Sequence, residues 1–325
     1  MKKIFCSALV LILFAWGCQK ENPTTPKLEP TDQKNQLLQK VNAINESLAS
    51  KRFSLGKTGG SSQTVGIFLN EIYPISMDSP FFDVIVLSVS RWVANDARRN
   101  ASGDRLTYMV DPRFGATASG LSANQTTNAI NASISVHNDF LSSQTALNLR
   151  SRGFRGADPT IFDELFGLDP DGNQGNGFPF FADFTQAGFY SGSYFDALFG
   201  PGGKENVLAF TAAFIFINPS TGAPTDIDGN GRLDRALAEV YYNNFFGTPG
   251  GSRAGFPWGI NVNLPGIDVQ TVAQHENGHS LDLGHIVNPA CPGGLMEPFY
   301  NGLLQQNDPC TKANLFVEYR TWPNP

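Results

Sequence analysis

Residues 275–285, HENGHSLDLGH, constrain this 325-residue chain more than any other stretch, because they gather three of its four histidines and one glutamate. The preceding IDVQTVAQ, with Asp268 placed as an N-cap, predicts a helix leading into them. On that helix His275 and His279 stand four residues apart, so both imidazoles share one face and reach a single ion. Glu276 is rotated about 100° from His275, which sets its carboxylate beside the ion rather than on it. A helix continued to His285 would put that ring about 15 Å along the axis from His275, out of reach. The chain must therefore leave the helix soon after His279 and fold back. A left-handed residue does this most cheaply, and glycine is the default. Asp282 can take the conformation at a cost of about 1 kcal/mol, with Gly284 adding slack before His285. Two geometries follow: His285 completes the ligand set after such a turn, or the Asp282 carboxylate does so itself. The spacing favours His285.

Together with the later GGLMEPFY, this stretch resembles the metzincin zinc peptidases, and within them the matrixin-like group. Their pattern is H-E-x-x-H-x-x-G-x-x-H with a downstream methionine turn. The resemblance implies His275, His279 and His285 as zinc ligands, Glu276 as catalytic base and Met296 as the turn methionine beneath the metal. ADFTQAGF and EVYYNNFF look like sheet strands ahead of the catalytic helix, and RLTYMVDPRFG with the helix over 122–141 looks like the family's first strand and first helix. The implied fold is α+β: a twisted mixed sheet with a long first helix and an active-site helix, then a small C-terminal subdomain carrying the Met-turn. It covers residues 104–325. The implied activity is zinc-dependent hydrolysis of protein or peptide substrates by Glu276-assisted attack of zinc-bound water. Substrate would lie extended along an edge strand within 206–218, with Pro298 and Tyr300 shaping the pocket. Asp282 departs from the family glycine, and the span from His285 to Met296 is longer than usual and contains Cys291. The family's structural zinc needs further histidines; only His137 is left, so its absence is expected. No cysteine lies between Cys18 and Cys291 to supply a propeptide thiol, so a pro-segment within 35–103 would have to block the site another way. The alternatives are a non-catalytic surface lipoprotein that keeps the fold for binding, and a protein in which zinc is purely structural. Glu276 favours the enzyme, because neither alternative needs that carboxylate.

Elsewhere the pattern is mixed. Leu37, Leu38, Val41, Ile44 and Leu48 predict an amphipathic helix over 35–52, KTGGSS at 57–62 reads as a linker, and the apolar run in 64–100 is strand-like with no assigned role. Alternation over 105–111 predicts a strand. Ser122 is a cap for a helix whose apolar stripe is Ile130, Ile134, His137 and Leu141, which makes His137 a packed histidine rather than a ligand. Further strands are expected at 182–190, 206–218 and 239–243. DIDGNGRLD places Asp226, Asp228, Asn230 and Asp234 at offsets resembling a calcium loop, but Leu237 stands where the bidentate glutamate belongs. Asp169, Asp171 and Asn173 repeat the theme. Turn chemistry selects the same residues, so Ca2+ is an alternative at either loop.

The chain opens with two lysines and an apolar run from Ile4 to Trp16, too short to span a bilayer and fitting an export signal over 1–17. Gly17-Cys18 resembles the processing site of bacterial lipoproteins, giving a lipid anchor at Cys18 on a polar tether over 18–34. That implies an outer-membrane or cell-surface protein held at a membrane, with plain secretion as the alternative. Cys291 and Cys310 then read as a disulfide of an exported domain. With a formal charge of -6 and no dense cluster among its 23 Lys and Arg, nucleic acid is not an expected partner.

Overall fold

The computed structural model describes residues 30–55, 63–78, 84–99, 104–167 and 177–324. The export signal, Cys18, most of the tether, the 57–62 linker and Asp169, Asp171 and Asn173 lie outside the described residues.

The chain is α+β. It begins with α1 (Pro30–Leu48), β1 (Phe53–Leu55) and β2 (Gln63–Ser76). Two short strands follow, β3 (Ile85–Val86) and β4 (Ser90–Arg91), then β5 (Leu106–Val110) and the long α2 (Ala123–Gln144). Next come β6 (Leu149–Ser151), α3 (Phe162–Leu165), β7 (Phe184–Tyr190), α4 (Gly192–Phe199) and α5 (Gly203–Asn206). β8 (Val207–Ile217) and β9 (Leu233–Asn243) complete the main sheet. After them lie α6 (Val269–Ser280) and α7 (Pro309–Tyr319).

The main sheet runs in the order β1-β2-β8-β9-β7-β5-β6, with β3 beside β2 and β4 beside β9. β9, β7, β5 and β6 are mutually parallel, whereas β8 runs antiparallel to β9 and β2 antiparallel to β8. Every residue of β8, VLAFTAAFIFI, is buried, as a strand covered on both faces requires. Phe210, Phe214 and Phe216 face a core shared with α1 and α4. Leu208 and Ala213 belong to the opposite core, which contains residues of α2, α6 and the C-terminal segment.

Local signals account for most elements. Ser122 caps α2 with a reciprocal bond to Gln125, satisfying two orphan donors of the first turn. Leu37, Val41, Ile44 and Leu48 form the buried stripe of α1. Two expectations are corrected. The strand at 239–243 starts at Leu233, straight out of the acidic loop. The segment 206–218 is not an edge: β2 pairs with β8 from Gly66 opposite Ile217 to Ser76 opposite Val207. The strand-like run in 64–100 thus acquires its place, because the apolar flank of β8 is closed by β2.

Candidate metal centre

Helix α6 starts where Asp268 accepts the Thr271 backbone N–H at 2.8 Å. It is buried along nearly its whole length, with His137 of α2 contacting the Gln274 carbonyl at 2.8 Å. His137 is a packed residue, and burial pushes its pKa down to about 4.

The helix ends in a Schellman turn. Leu283 N–H donates to Gly278 O at 3.0 Å and Asp282 N–H to His279 O at 3.1 Å. Asp282 holds the left-handed position at φ 67°. This reversal brings His285 back beside the helix, so the ligand nitrogens of His275, His279 and His285 all lie within 4.8 Å of one another. His275 and His279 approach to 2.9 Å between their Nε2 atoms. Each turns its Nδ1 to a backbone carbonyl, Leu295 at 2.6 Å and Leu283 at 2.7 Å. A carbonyl at Nδ1 assigns the ring proton there and leaves a lone pair on Nε2. Two lone pairs so close could share one cation. His285 Nε2 is buried without a protein partner. Burial, aided by the neighbouring His285, pushes His275 down to about 3; burial alone takes His285 to about 4. All three rings are neutral at physiological pH, the form that ligates metal. By donor chemistry and by the orphaned Nε2 of His285, the residues fit a divalent ion that accepts imidazole.

The Asp282 carboxylate is engaged elsewhere. Its Oδ2 accepts from Tyr319 Oη at 2.7 Å and Trp92 N at 3.2 Å, while Oδ1 lies 2.9 Å from Arg235 Nη1. Arg235 also binds Ser90 Oγ, His279 O and the carboxylate of Glu71. The residue therefore makes the turn and locks it, and of the two candidate third ligands His285 is the one that converges on the other histidines.

Glu276 lies on α6 with its Oε2 accepting from Thr211 Oγ1 of β8 at 2.5 Å. Its Oε1 is buried with no partner, and burial raises its pKa well above the usual carboxylate range. Met296 is buried beneath the helix, and the site depends on Gly278: a Cβ there would meet the Met296 Sδ at 2.4 Å. Leu295 N–H donates to the Asp308 carboxylate, Met296 O accepts from Ile286 N–H, and a disulfide joins Cys291 to Cys310 at the start of α7.

The acidic loop is closed by its own turns. Asp226 and Asp228 accept from the backbone of Asn230, Asp226 also from Gly231 N, and Asp234 pairs with Arg98 at 2.6 Å. Asp226, Asp228 and Asp234 cluster, but these bonds account for the clustering.

Sequence reasoning did not single out Thr211, Arg235, Glu71 or Tyr73. The Tyr73 ring stacks on His279 with centroids 4.4 Å apart and planes 11° apart, and sits edge-on to His285 at 6.2 Å. No spacing rule links a residue of β2 to α6, so no sequence signal marks these partners. Compared with known proteins, the chain matches no protein-family model and no curated protein.

Proposed function

We propose that the chain is a zinc-dependent endopeptidase of metzincin type. The reading is carried by one arrangement: three convergent neutral imidazoles on and just after α6, with a buried glutamate next to His275 in the same helix. Three protein ligands leave a fourth position open, as catalytic rather than structural zinc requires. The order β5, α2, β7, β8, β9, α6 and then Met296 beneath the histidines supports the family reading.

His275, His279 and His285 would hold a zinc ion, which would supply Lewis acidity toward a water and a peptide carbonyl. Glu276 does the proton work. Thr211 fixes one of its carboxylate oxygens, and the unpartnered Oε1 takes the proton of the attacking water. Glu276 then returns that proton to the departing amine nitrogen. One C–O bond forms, one C–N bond breaks, and the products are a carboxylate and an amine. Export and a lipid anchor at Cys18 belong to the same proposal; the Cys291–Cys310 disulfide supports an oxidising compartment.

The test is zinc per chain, paired with hydrolysis of a quenched peptide library. Wild type and Glu276→Ala should each bind one zinc, and Glu276→Ala should lose hydrolysis by about 100-fold or more. His285→Ala should bind zinc far more weakly. A wild type that takes up no zinc when incubated with it sinks the proposal.

A further inference from the structure

The sheet ends on a strand whose charge the metal centre does not use. β6 is the last strand of the main order, at the far side from β2. Among the described residues it pairs with β5 alone, Leu106 opposite Leu149 and Thr107 opposite Arg150. Leu106 N–H donates to Asn148 O at 3.1 Å and Arg152 N–H to Tyr108 O at 2.7 Å. In a parallel pair this turns the main chain of residues 148, 150 and 152 toward β5 and that of Leu149 and Ser151 outward. Asn138 of α2 accepts the Leu149 N–H at 2.7 Å. Ser151 is exposed, and its N–H and C=O face outward with no protein partner.

Arginines gather along this edge. Arg150 and Arg155 are exposed, Arg152 is half-buried, and Arg105 stands one residue before β5. Most other arginines hold a carboxylate: Arg91 that of Glu318, Arg98 that of Asp234, Arg99 that of Asp183 and Arg253 that of Asp78. Among the described residues, the side chains of Arg105, Arg150, Arg152 and Arg155 hold none. Asp111 and Asp158 are both taken by Arg113. The Nε of Arg152 is shielded from solvent and has no partner, so its lost hydration is uncompensated.

Arg150 and Arg152 are two apart on one strand and project from the same face. A strand laid against β6 bonds its main chain to Ser151 and sets alternate side chains beside Arg150 and Arg152. A second copy of β6 is disfavoured there, because it sets arginine against arginine. An acidic strand meets the charge, and its carboxylates match the two-pronged guanidinium.

We propose that β6 is a docking edge for an extended acidic peptide, with Asp or Glu at alternate positions, added as an outer strand. The edge stands apart from the histidines: β8, whose Thr211 holds Glu276, lies four strands from β6, about 19 Å at the usual strand spacing. Docking there needs no metal, so the proposal goes beyond the peptidase reading and stands without it.

The experiment is fluorescence anisotropy on the full chain at low salt. One labelled peptide alternates glutamate with threonine. The other replaces each threonine by proline, which keeps the charges and their spacing but removes the N–H that would face the Ser151 carbonyl. The threonine peptide should bind, and the proline peptide should bind about 5-fold more weakly or worse. Ser151→Pro removes the outward N–H of the edge and should weaken the threonine peptide by a similar factor; the proline peptide makes the same test on an unaltered chain should this variant fail to fold. Arg150→Gln with Arg152→Gln should weaken binding about 10-fold. No binding of the threonine peptide, equal binding of both peptides, or binding indifferent to the arginine substitutions overturns the proposal. Capture by vesicles of anionic phospholipid, with neither peptide bound, assigns the patch to a lipid surface and overturns it as well.

Discussion

Asp282 does two separable jobs, and substitution can part them. Asparagine also tolerates the left-handed region, so Asp282→Asn keeps the turn but removes the charge facing Arg235. Glycine makes the same turn with no steric cost and removes the side chain altogether. Both variants should lose about 3 kcal/mol of stability in denaturant unfolding, since one partner of a buried ion pair disappears. A wild-type midpoint for Asp282→Gly would show that only the turn matters. Gly278 is the complementary case. Alanine is the better helix former by about 0.5–1 kcal/mol, yet its Cβ would press on the Met296 Sδ. Overpacking of this kind costs about 1–3 kcal/mol, so Gly278→Ala should be net destabilising. Adding Met296→Ala should recover part of the loss, a non-additivity that a double-mutant cycle measures.

At the scale of elements, the segment after His285 has no regular structure of its own and is held by attachments. The Cys291–Cys310 bond closes a loop between residues 19 apart and ties it to the N-terminus of α7, where Asp308 accepts from Leu295 N–H at 2.9 Å. Leu295 in turn supplies the carbonyl that orients His275. Cys310→Ser should therefore cost about 3 kcal/mol of stability by the chain-entropy model. It should also weaken zinc affinity by about 10-fold through the loosened carbonyl. Unchanged affinity in a destabilised variant would mean that the disulfide acts on folding alone. Helices α2 and α6 illustrate what was readable at this scale. Their caps, Ser122 and Asp268, act within three residues, and the buried stripe of α2 follows from a 3.6-residue period. α7 was not anticipated, although Asp308-Pro309 is a cap followed by a proline at the first turn.

At the scale of the whole molecule, residues near in sequence and residues near only in space divide cleanly. The positions of His275, Glu276 and His279 on one helix, the need for a reversal before His285, and Asp282 as the residue to make it all follow from helical geometry and backbone sterics within eleven residues. These the sequence by itself determined. The tertiary structure decided that Asp282 turns its carboxylate to Arg235, 47 positions away, rather than to the histidines. It also decided that β8 is an interior strand, because a nearly all-apolar segment with an open edge is covered by whichever partner buries most, here β2. Tyr73 comes to rest on His279 for the same reason: strand register is set by long-range pairing and by a one-residue bulge, neither of which leaves a local mark. Local periodicity fixes which way a side chain points along its own element, and only the packing of elements fixes what it meets.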